Sequence, residues 1–206
     1  LAYLASQARI PKIPRLYYIP SPTMNAFTVG GQKDSAIAFT EGLFRHLNER
    51  EIVGVLAHEV AHIQNRDTWI LSLAGLTGQL TRLMSYFGFF LLLLNTPFLL
   101  ISGYGIPWLF IAILIGVPWL SLLLQFALSR IREFNADLGA VAYTKDPVGL
   151  ASALEKINGN IRTWQRLLPR GTSSGSGILQ THPPTRERIR RLLALGEENR
   201  AAIPIL

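Results

Sequence analysis

The chain contains no cysteine and few charged residues. Without thiols it cannot be a disulfide-stapled secreted module, and it cannot hold zinc or an iron–sulfur cluster through cysteine. Only 16% of its 206 residues are charged, whereas an ordinary soluble domain has roughly 25%. Because 49% of the residues are hydrophobic, the composition also excludes a disordered chain and indicates that part of the protein is surrounded by something other than water.

The shortage of charge is concentrated in one segment. Residues 83–129 contain no Asp, Glu, Lys, Arg or His. Since one helical crossing of a bilayer needs about 20 apolar residues, this run is long enough for two crossings and a turn. We therefore predict a transmembrane helical hairpin at 69–129, inserted in a domain that is formed by 1–68 and 130–206.

The excess of basic residues lies partly beside the apolar run. Twenty Lys and Arg against 13 Asp and Glu give a net charge of +7. No nucleic-acid-binding motif accompanies this charge, so we expect no nucleic-acid partner. Arg66, Arg82, Arg130 and Arg132 instead flank the apolar segment, which favours a cytosolic location for the domain that carries them. The chain begins at Leu1 without a signal peptide, and we expect it to be a fragment or a processed product.

The first third of the chain predicts a small sheet followed by a helix. Short β-rich pieces alternate with proline and glycine, which is typical of strands and turns. The three strands are predicted at 15–19, 25–29 and 35–39. Asn48 and Glu51 have the spacing of a capping box, and apolar residues then recur at helical spacing. These features predict a helix over 49–65.

The apolar segment allows two registers for its first helix. Asn95-Thr96-Pro97 favours a helix at 69–94, whereas the later turn signal at 103–105 favours one at 83–102; we prefer the first. The second crossing is predicted at 106–128, and the proline within it is compatible with a membrane helix. Three more polar helices are predicted at 130–143, from 146 onward and at 184–196.

The most informative motif is His58-Glu59-Val60-Ala61-His62, which falls on the predicted helix 49–65. Two histidines four residues apart project from one helix face, where their ring nitrogens can hold one zinc ion. The intervening Glu59 is placed to act as a general base on a water at the metal rather than as a ligand. The alternative is an ordinary pair of surface or core histidines.

A catalytic zinc site needs a third protein ligand and an open fourth position. Glu133 is the best candidate, because a hairpin that returns to the surface it left would bring it back to the histidines. Asp137, four residues later on the same helical face, can accept a hydrogen bond from the outer nitrogen of a ligating histidine. The alternative for Glu133 is an exposed acid paired with Arg130 or Arg132.

These motifs resemble those of the HtpX-type membrane-bound zinc metalloproteases, which are gluzincins related to the CAAX prenyl endopeptidases. The matching stretches run in the family's order from residue 25 to residue 189. They are Asn25-Ala26-Phe27-Thr28-Val29-Gly30, His58-Glu59-Val60-Ala61-His62, Ser129-Arg130-Ile131-Arg132-Glu133-Phe134-Asn135-Ala136-Asp137, and Thr181-His182-Pro183-Pro184-Thr185 with Arg188-Ile189.

The resemblance implies a role for each matching site residue. One zinc ion would be held by His58, His62 and Glu133, with Glu59 as general base and acid. His182 would stabilise the transition state; from the residues alone, a histidine before two prolines is equally an entry-loop residue of the next helix. The strand that carries Asn25, Ala26 and Phe27 would line the cleft, where an edge strand can pair with an extended substrate.

Together these features predict an α+β, mainly α, zincin-like domain with an inserted membrane hairpin. The expected activity is that of a zinc-dependent endopeptidase in the plasma (inner) membrane, with its catalytic domain in the cytosol. The expected partners are the lipid bilayer and polypeptide substrates, chiefly misfolded or damaged membrane proteins. Two alternatives remain open: a processing protease of the CAAX type, and a non-catalytic membrane scaffold that retains a zinc-binding fold.

Overall fold

The protein is mainly helical and has one small sheet, as the sequence predicts. The computed structural model describes residues 1–102, 108–167 and 185–201. The elements are α1 (Ala2–Gln7), β1 (Arg15–Ile19), β2 (Ala26–Gly31), β3 (Asp34–Thr40), α2 (Glu41–His46), α3 (Glu49–Gln64), α4 (Asp67–Ser102), α5 (Trp108–Thr144), α6 (Pro147–Leu167) and α7 (Thr185–Ala201). The short helices α1 and α2 have no counterpart among the sequence predictions. They are each six residues long, too short for a periodic apolar pattern to mark them.

The sheet has three strands in the order β1-β3-β2. The central strand β3 runs parallel to β1 and antiparallel to β2. Its Ile37 and Phe39 are fully buried in the core. Gly30 has φ of 86° near the turn between β2 and β3, and a Cβ there would lie 2.1 Å from the carbonyl oxygen of Asp34, so this turn requires glycine.

Helix α3 begins at the predicted capping box. The Asn48 side chain accepts from the backbone N–H of Glu51, and the Glu51 carboxylate accepts from the N–H of Asn48. The buried Glu51 carboxylate also contacts Lys156 (2.8 Å) and Ser152 (2.6 Å) of α6. These contacts fix the N-terminal end of α3 against the rest of the domain.

Helix α4 is longer than the preferred prediction, which ended it at residue 94. It continues through Pro97 to Ser102. The Thr96 hydroxyl donates to the carbonyl of Leu92 at 2.9 Å, so a side chain makes one of the hydrogen bonds in the turn that contains the proline. This bond does not replace the one that Pro97 cannot donate, whose acceptor would be the carbonyl of Leu93. Proline is tolerated inside long apolar helices, and the stop signal in the sequence was therefore misleading.

Helix α5 is a candidate membrane-spanning helix. Within the described residues it is the helix that is both long enough and apolar enough to cross a bilayer, and it continues through Pro118 without a break. Many of its large apolar side chains are exposed; Trp119 and Leu123 are 70% and 64% exposed. Water would oppose that exposure and lipid would favour it. The first crossing of the predicted hairpin, on α4, stays a prediction.

The chain folds as two compact units. One comprises Leu1–Thr68 together with Ser129–Leu206, and the other is Trp69–Leu128. In the first unit, α3 is packed closely against the C-terminal half of α5. The approach is so close that a Cβ on Gly139 would lie 2.8 Å from the Cβ of Ala61. This packing brings the histidines of α3 next to the acids of α5.

Candidate metal centre and active site

The two histidines of the motif lie one turn apart on α3 and face each other. Their Nε2 atoms are 3.1 Å apart, and the rings meet edge to face with centroids 4.6 Å apart. His58 is 5% exposed. Both Nε2 atoms therefore point into one small, largely buried space.

Glu133 of α5 faces the same space. Its Oε2 lies 3.4 Å from Nε2 of His58, and its Oε1 lies 3.7 Å from Nε2 of His62. Tetrahedral zinc with bonds of about 2.0–2.1 Å places neighbouring donor atoms about 3.4 Å apart. One donor atom from each of the three residues lies within 4.8 Å of the others. The donor types and their spacing therefore fit one zinc ion.

The outer nitrogen of each histidine meets a carboxylate. Nδ1 of His58 lies 3.0 Å from Oδ1 of Asp137, and Nδ1 of His62 lies 2.5 Å from Oδ2 of Asp67. A carboxylate on Nδ1 fixes the ring orientation and leaves Nε2 free to bind metal. The structure places Asp137 where the sequence predicts it. Asp67 was missed, although its position five residues after His62, at the start of the next helix, was a usable signal.

Two buried arginines neutralise these carboxylates. Arg188 of α7 binds Asp137 through two nitrogens, with Nε to Oδ2 at 2.7 Å and Nη2 to Oδ1 at 2.6 Å, and its Nη1 lies 2.8 Å from Oε2 of Glu133. Arg132 of α5 pairs with Asp67, Nε to Oδ1, at 2.9 Å. In the sequence both arginines stand out only as members of motifs or as flanks of the apolar run, and neither was predicted to have a role in the site.

Glu59 directly follows His58 on α3 and is 6% exposed. Its Oε2 accepts a hydrogen bond from the Thr28 hydroxyl at 2.7 Å. Thr28 lies on β2, so the contact joins this strand to the helix that carries the two histidines. The side chain of Thr28 was not among the predicted site residues, although it follows Phe27 directly in the motif.

The residues predicted to contact substrate, Asn25, Ala26 and Phe27, lie at the start of β2. Ala26 packs against the core, and Phe27 is 36% exposed on the opposite face of β2. The backbone N–H and carbonyl of Asn25 both bond to the Thr40 hydroxyl at 2.9 Å, which fixes the start of the strand. Over the residues that the structure describes, β2 pairs with β3 and leaves its other edge without a strand. His182 lies outside the described residues.

At three ionisable groups of the cluster, hydrogen bonds and ion pairs outweigh the effect of burial on the pKa. Burial and the Arg188 charge lower the pKa of His58, but hydrogen bonds to Asp137 and Glu133 outweigh them and raise it to about 9. Burial raises the pKa of Asp137, yet Arg188 and His58 lower it more, so the net direction is down. The pKa of Asp67 is lowered in the same way, against burial, by His62 and Arg132.

Comparisons with known proteins agree with this geometry. The model of peptidase family M48 matches residues 1–195. A protease HtpX homolog of Acaryochloris marina is 39% identical over 95% of this chain and 70% of its own length. Homologs of the same name from Dictyoglomus turgidum and Methylibium petroleiphilum are 37% and 34% identical, and the alignments cover 67% and 71% of their lengths.

A solved structure shares the fold. The crystal structure of Ste24p from S. mikatae matches with a TM-score of 0.51 and 21% identity over 93% of this chain. This chain spans about half of that protein, 48% of its length. The resemblance to HtpX-type proteases that the motifs indicated is thus confirmed by whole-chain similarity. The chain belongs to peptidase family M48 and, with a His-His-Glu group able to hold a metal ion and a candidate membrane helix, is a membrane metalloprotease.

Proposed function

We propose that this chain is a zinc endopeptidase whose metal is held by His58, His62 and Glu133 and whose general base is Glu59. The observation that carries the proposal is the convergence of three donor atoms within 4.8 Å, on residues whose types and spacing suit zinc. Metal affinity and catalysis would then depend on the same buried cluster.

The charge of the cluster also supports a divalent cation. The histidines are surrounded by four buried carboxylates, those of Glu59, Asp67, Glu133 and Asp137, and by two buried guanidiniums, those of Arg132 and Arg188. When the histidines are neutral, this cluster carries two uncompensated negative charges. Buried charge is expensive unless it is paired or coordinates a metal. A dication balances this group of charges.

In the proposed mechanism a bound zinc ion supplies Lewis acidity and Glu59 transfers the proton. Zinc supplies Lewis acidity, which activates water and polarises the scissile carbonyl. Glu59 takes a proton from the water as the water oxygen bonds to the scissile carbonyl carbon. It then passes this proton to the amide nitrogen, so that the C–N bond breaks and the chain leaves as a carboxylic acid and an amine. The Thr28 hydroxyl holds one oxygen of Glu59, so the other oxygen remains for the proton transfer. His182 would stabilise the developing oxyanion, and this role rests on the family resemblance alone.

The substrate would bind as an extended strand along β2. The free edge of this strand offers backbone hydrogen-bonding groups to a partner, and Thr28 ties the strand to Glu59. Phe27 and Val29 are exposed on the outer face of the strand and would contact apolar substrate side chains. We infer a preference for unfolded or locally extended segments, since a folded segment cannot pair with the edge.

The proposed substrates are misfolded or damaged membrane proteins, cut at the cytosolic surface of the plasma (inner) membrane. The candidate membrane helix α5 supports this, because Glu133 and Asp137 lie on the polar C-terminal part of the same helix. The site would then lie at the membrane surface, within reach of loops that leave the bilayer.

The first experiment measures zinc content and cleavage on the same detergent-purified chain. We expect one zinc per chain and cleavage of casein that a chelator abolishes and added zinc restores. Glu59→Gln should keep the zinc and abolish cleavage, whereas Glu133→Ala should lose the zinc. Stoichiometric zinc in Glu133→Ala would remove Glu133 from the site. Full cleavage by Glu59→Gln would overturn the mechanism, and zinc without cleavage of any substrate would favour the scaffold.

Membrane orientation can be tested because the native chain has no cysteine. A single cysteine at exposed Glu49, in the unit that carries the site, should react with a membrane-impermeant maleimide in inverted vesicles but not in intact cells. The opposite result would place the site outside the cytosol.

To separate the quality-control proposal from CAAX-type processing, cleavage of an unfolded membrane protein is compared with cleavage of a prenylated peptide. Preference for the prenylated peptide would overturn the proposed substrate class.

A further inference from the structure

We infer that Asp67 and Arg132 act together as a positioning pair for the zinc ligand His62. The inference rests on the proposed function, since it concerns how that metal site is held in place. Asp67 lies 2.5 Å from Nδ1 of His62, and Arg132 lies 2.9 Å from the other oxygen of Asp67. The three side chains form a continuous chain of contacts that ends at the metal-binding nitrogen.

Asp67 and Arg132 are both buried, so the charge of each is balanced by protein groups rather than by water. Asp67 is 2% exposed and Arg132 is 8% exposed. A carboxylate in such a place binds a histidine tightly only if a fixed cation balances its charge, because water cannot do so. Arg132 provides that cation and, through its contact with Oδ1, leaves Oδ2 directed at His62. The pair therefore sets which ring nitrogen of His62 faces the metal.

Asp67 and Arg132 lie where the chain leaves the first unit and where it returns to it. Asp67 is the first residue of α4, where the chain is about to leave the first unit, and Arg132 lies on α5 just after the chain returns to it. Arg132 directly precedes the ligand Glu133. The Asp67–Arg132 ion pair thus joins the segment that leaves the first unit to the segment that returns to it. It lies next to His62 and Glu133, two of the three proposed metal ligands.

The test measures the zinc dissociation constant of the full chain in detergent by competition with a chelator. We expect Asp67→Asn to weaken zinc binding by roughly 10- to 100-fold and Arg132→Met by roughly tenfold. The double variant should bind zinc no more weakly than Asp67→Asn, because the residues act as a unit. Arg130→Met is the matched control, since Arg130 is exposed on the same helix, and it should bind zinc like the wild type.

Two further measurements separate positioning from general destabilisation. Arg132→Lys keeps the charge and should bind zinc within about threefold of the wild type, even if Arg132→Met does not fold. With cobalt in place of zinc, Asp67→Asn should change the visible absorption bands, which report ligand geometry, whereas loss of stability alone would leave them unchanged. Wild-type affinity in Asp67→Asn, or additive losses in the double variant, would overturn the inference, and so would a loss of affinity in Arg132→Lys as large as that expected for Arg132→Met. If His62→Ala keeps its zinc, the proposed metal site itself fails.

Discussion

The hydroxyl of Thr28 donates a 2.7 Å hydrogen bond to Oε2 of Glu59. This bond joins the edge strand β2 to the proposed general base on α3. It fixes the rotation of the carboxylate, and a base must lie within hydrogen-bonding reach of the proton that it removes. A residue of the edge strand thereby orients the proposed base.

Replacement of Thr28 by valine should slow catalysis without removing the metal. Valine has nearly the same shape and a high preference for strands, so the loss is confined to the hydroxyl. We expect kcat to fall about tenfold, with KM and zinc content little changed, because one hydrogen bond to a charged group contributes about 1.5–3 kcal/mol at most. Steady-state cleavage of a fluorogenic peptide measures both constants. Thr28→Ser keeps the hydroxyl and should retain most of the activity; equal loss in both variants would contradict the role of the bond.

The position of the two histidines in the candidate metal site could be predicted from the sequence because their signal is local, whereas Glu133 was predicted from the return of the hairpin. The spacing of His58 and His62 on one helix already implies convergence, and the capping box at Asn48 places the start of that helix. The end of α4 was predicted wrongly, since the helix continues through Pro97 and the effect of a proline depends on the surroundings of the helix.

The arginines of the site could not be predicted in the same way. Arg132 and Arg188 act through tertiary contacts with Asp67 and Asp137, and Arg188 is 51 residues from its partner in the chain. An arginine beside an acid in a sequence is usually a solvated surface residue. Only the packing of α7 and α5 around α3 shows that these two are buried and paired.

Replacement of Arg188 by methionine should destabilise the metal-free protein more than the zinc-bound protein. Without the guanidinium, Asp137 and Glu133 remain buried without their shared cation, and loss of one partner of a buried ion pair costs about 3–5 kcal/mol. Zinc restores positive charge next to Glu133. We therefore expect zinc to raise the Tm of Arg188→Met more than that of the wild type, as measured by thermal unfolding in detergent. Arg188→Lys keeps the charge, and an equal zinc effect in all three proteins would contradict this account.

Zinc binding should release about one proton per chain near pH 7.5. The pKa of His58 in the metal-free protein is raised to about 9, so at pH 7.5 the ring carries a proton that the metal must displace. The same shift stabilises the metal-free fold fully below about pH 6.5, the ordinary pKa of histidine, and this stabilisation is lost as the pH rises through about 9. Calorimetric titration with zinc in buffers of different ionisation enthalpy counts the protons.

A control variant identifies the source of that proton. Asp137→Asn removes one of the two carboxylates whose hydrogen bonds raise the pKa of His58. The variant should therefore release fewer protons at pH 7.5 and should bind zinc more weakly. Zinc binding by the wild-type protein with no proton release at that pH would show that His58 is already neutral before the metal arrives.

Replacement of Gly139 by alanine should force α5 away from α3 and weaken the metal site. The new methyl group would lie 2.8 Å from the Cβ of Ala61, which cannot move aside because a Cβ is fixed to the helix backbone. Overpacking of this kind costs about 1–3 kcal/mol. Ala61 precedes the ligand His62, and Gly139 follows the Asp137 carboxylate by two residues, so the same displacement should lower zinc affinity as well as Tm.

The matched control is Gly159→Ala on α6, where a Cβ meets no atom within 4 Å. Alanine in an open helical position removes chain entropy from the unfolded state, and this variant should unfold at the same or a slightly higher temperature than the wild type, with a gain of at most about 1 kcal/mol. Thermal unfolding and chelator competition are measured on both variants. A Gly139→Ala protein with wild-type zinc affinity would mean that the ligands keep their positions when the helices separate. The site would then depend on the Asp67–Arg132 and Asp137–Arg188 pairs more than on the spacing between α3 and α5.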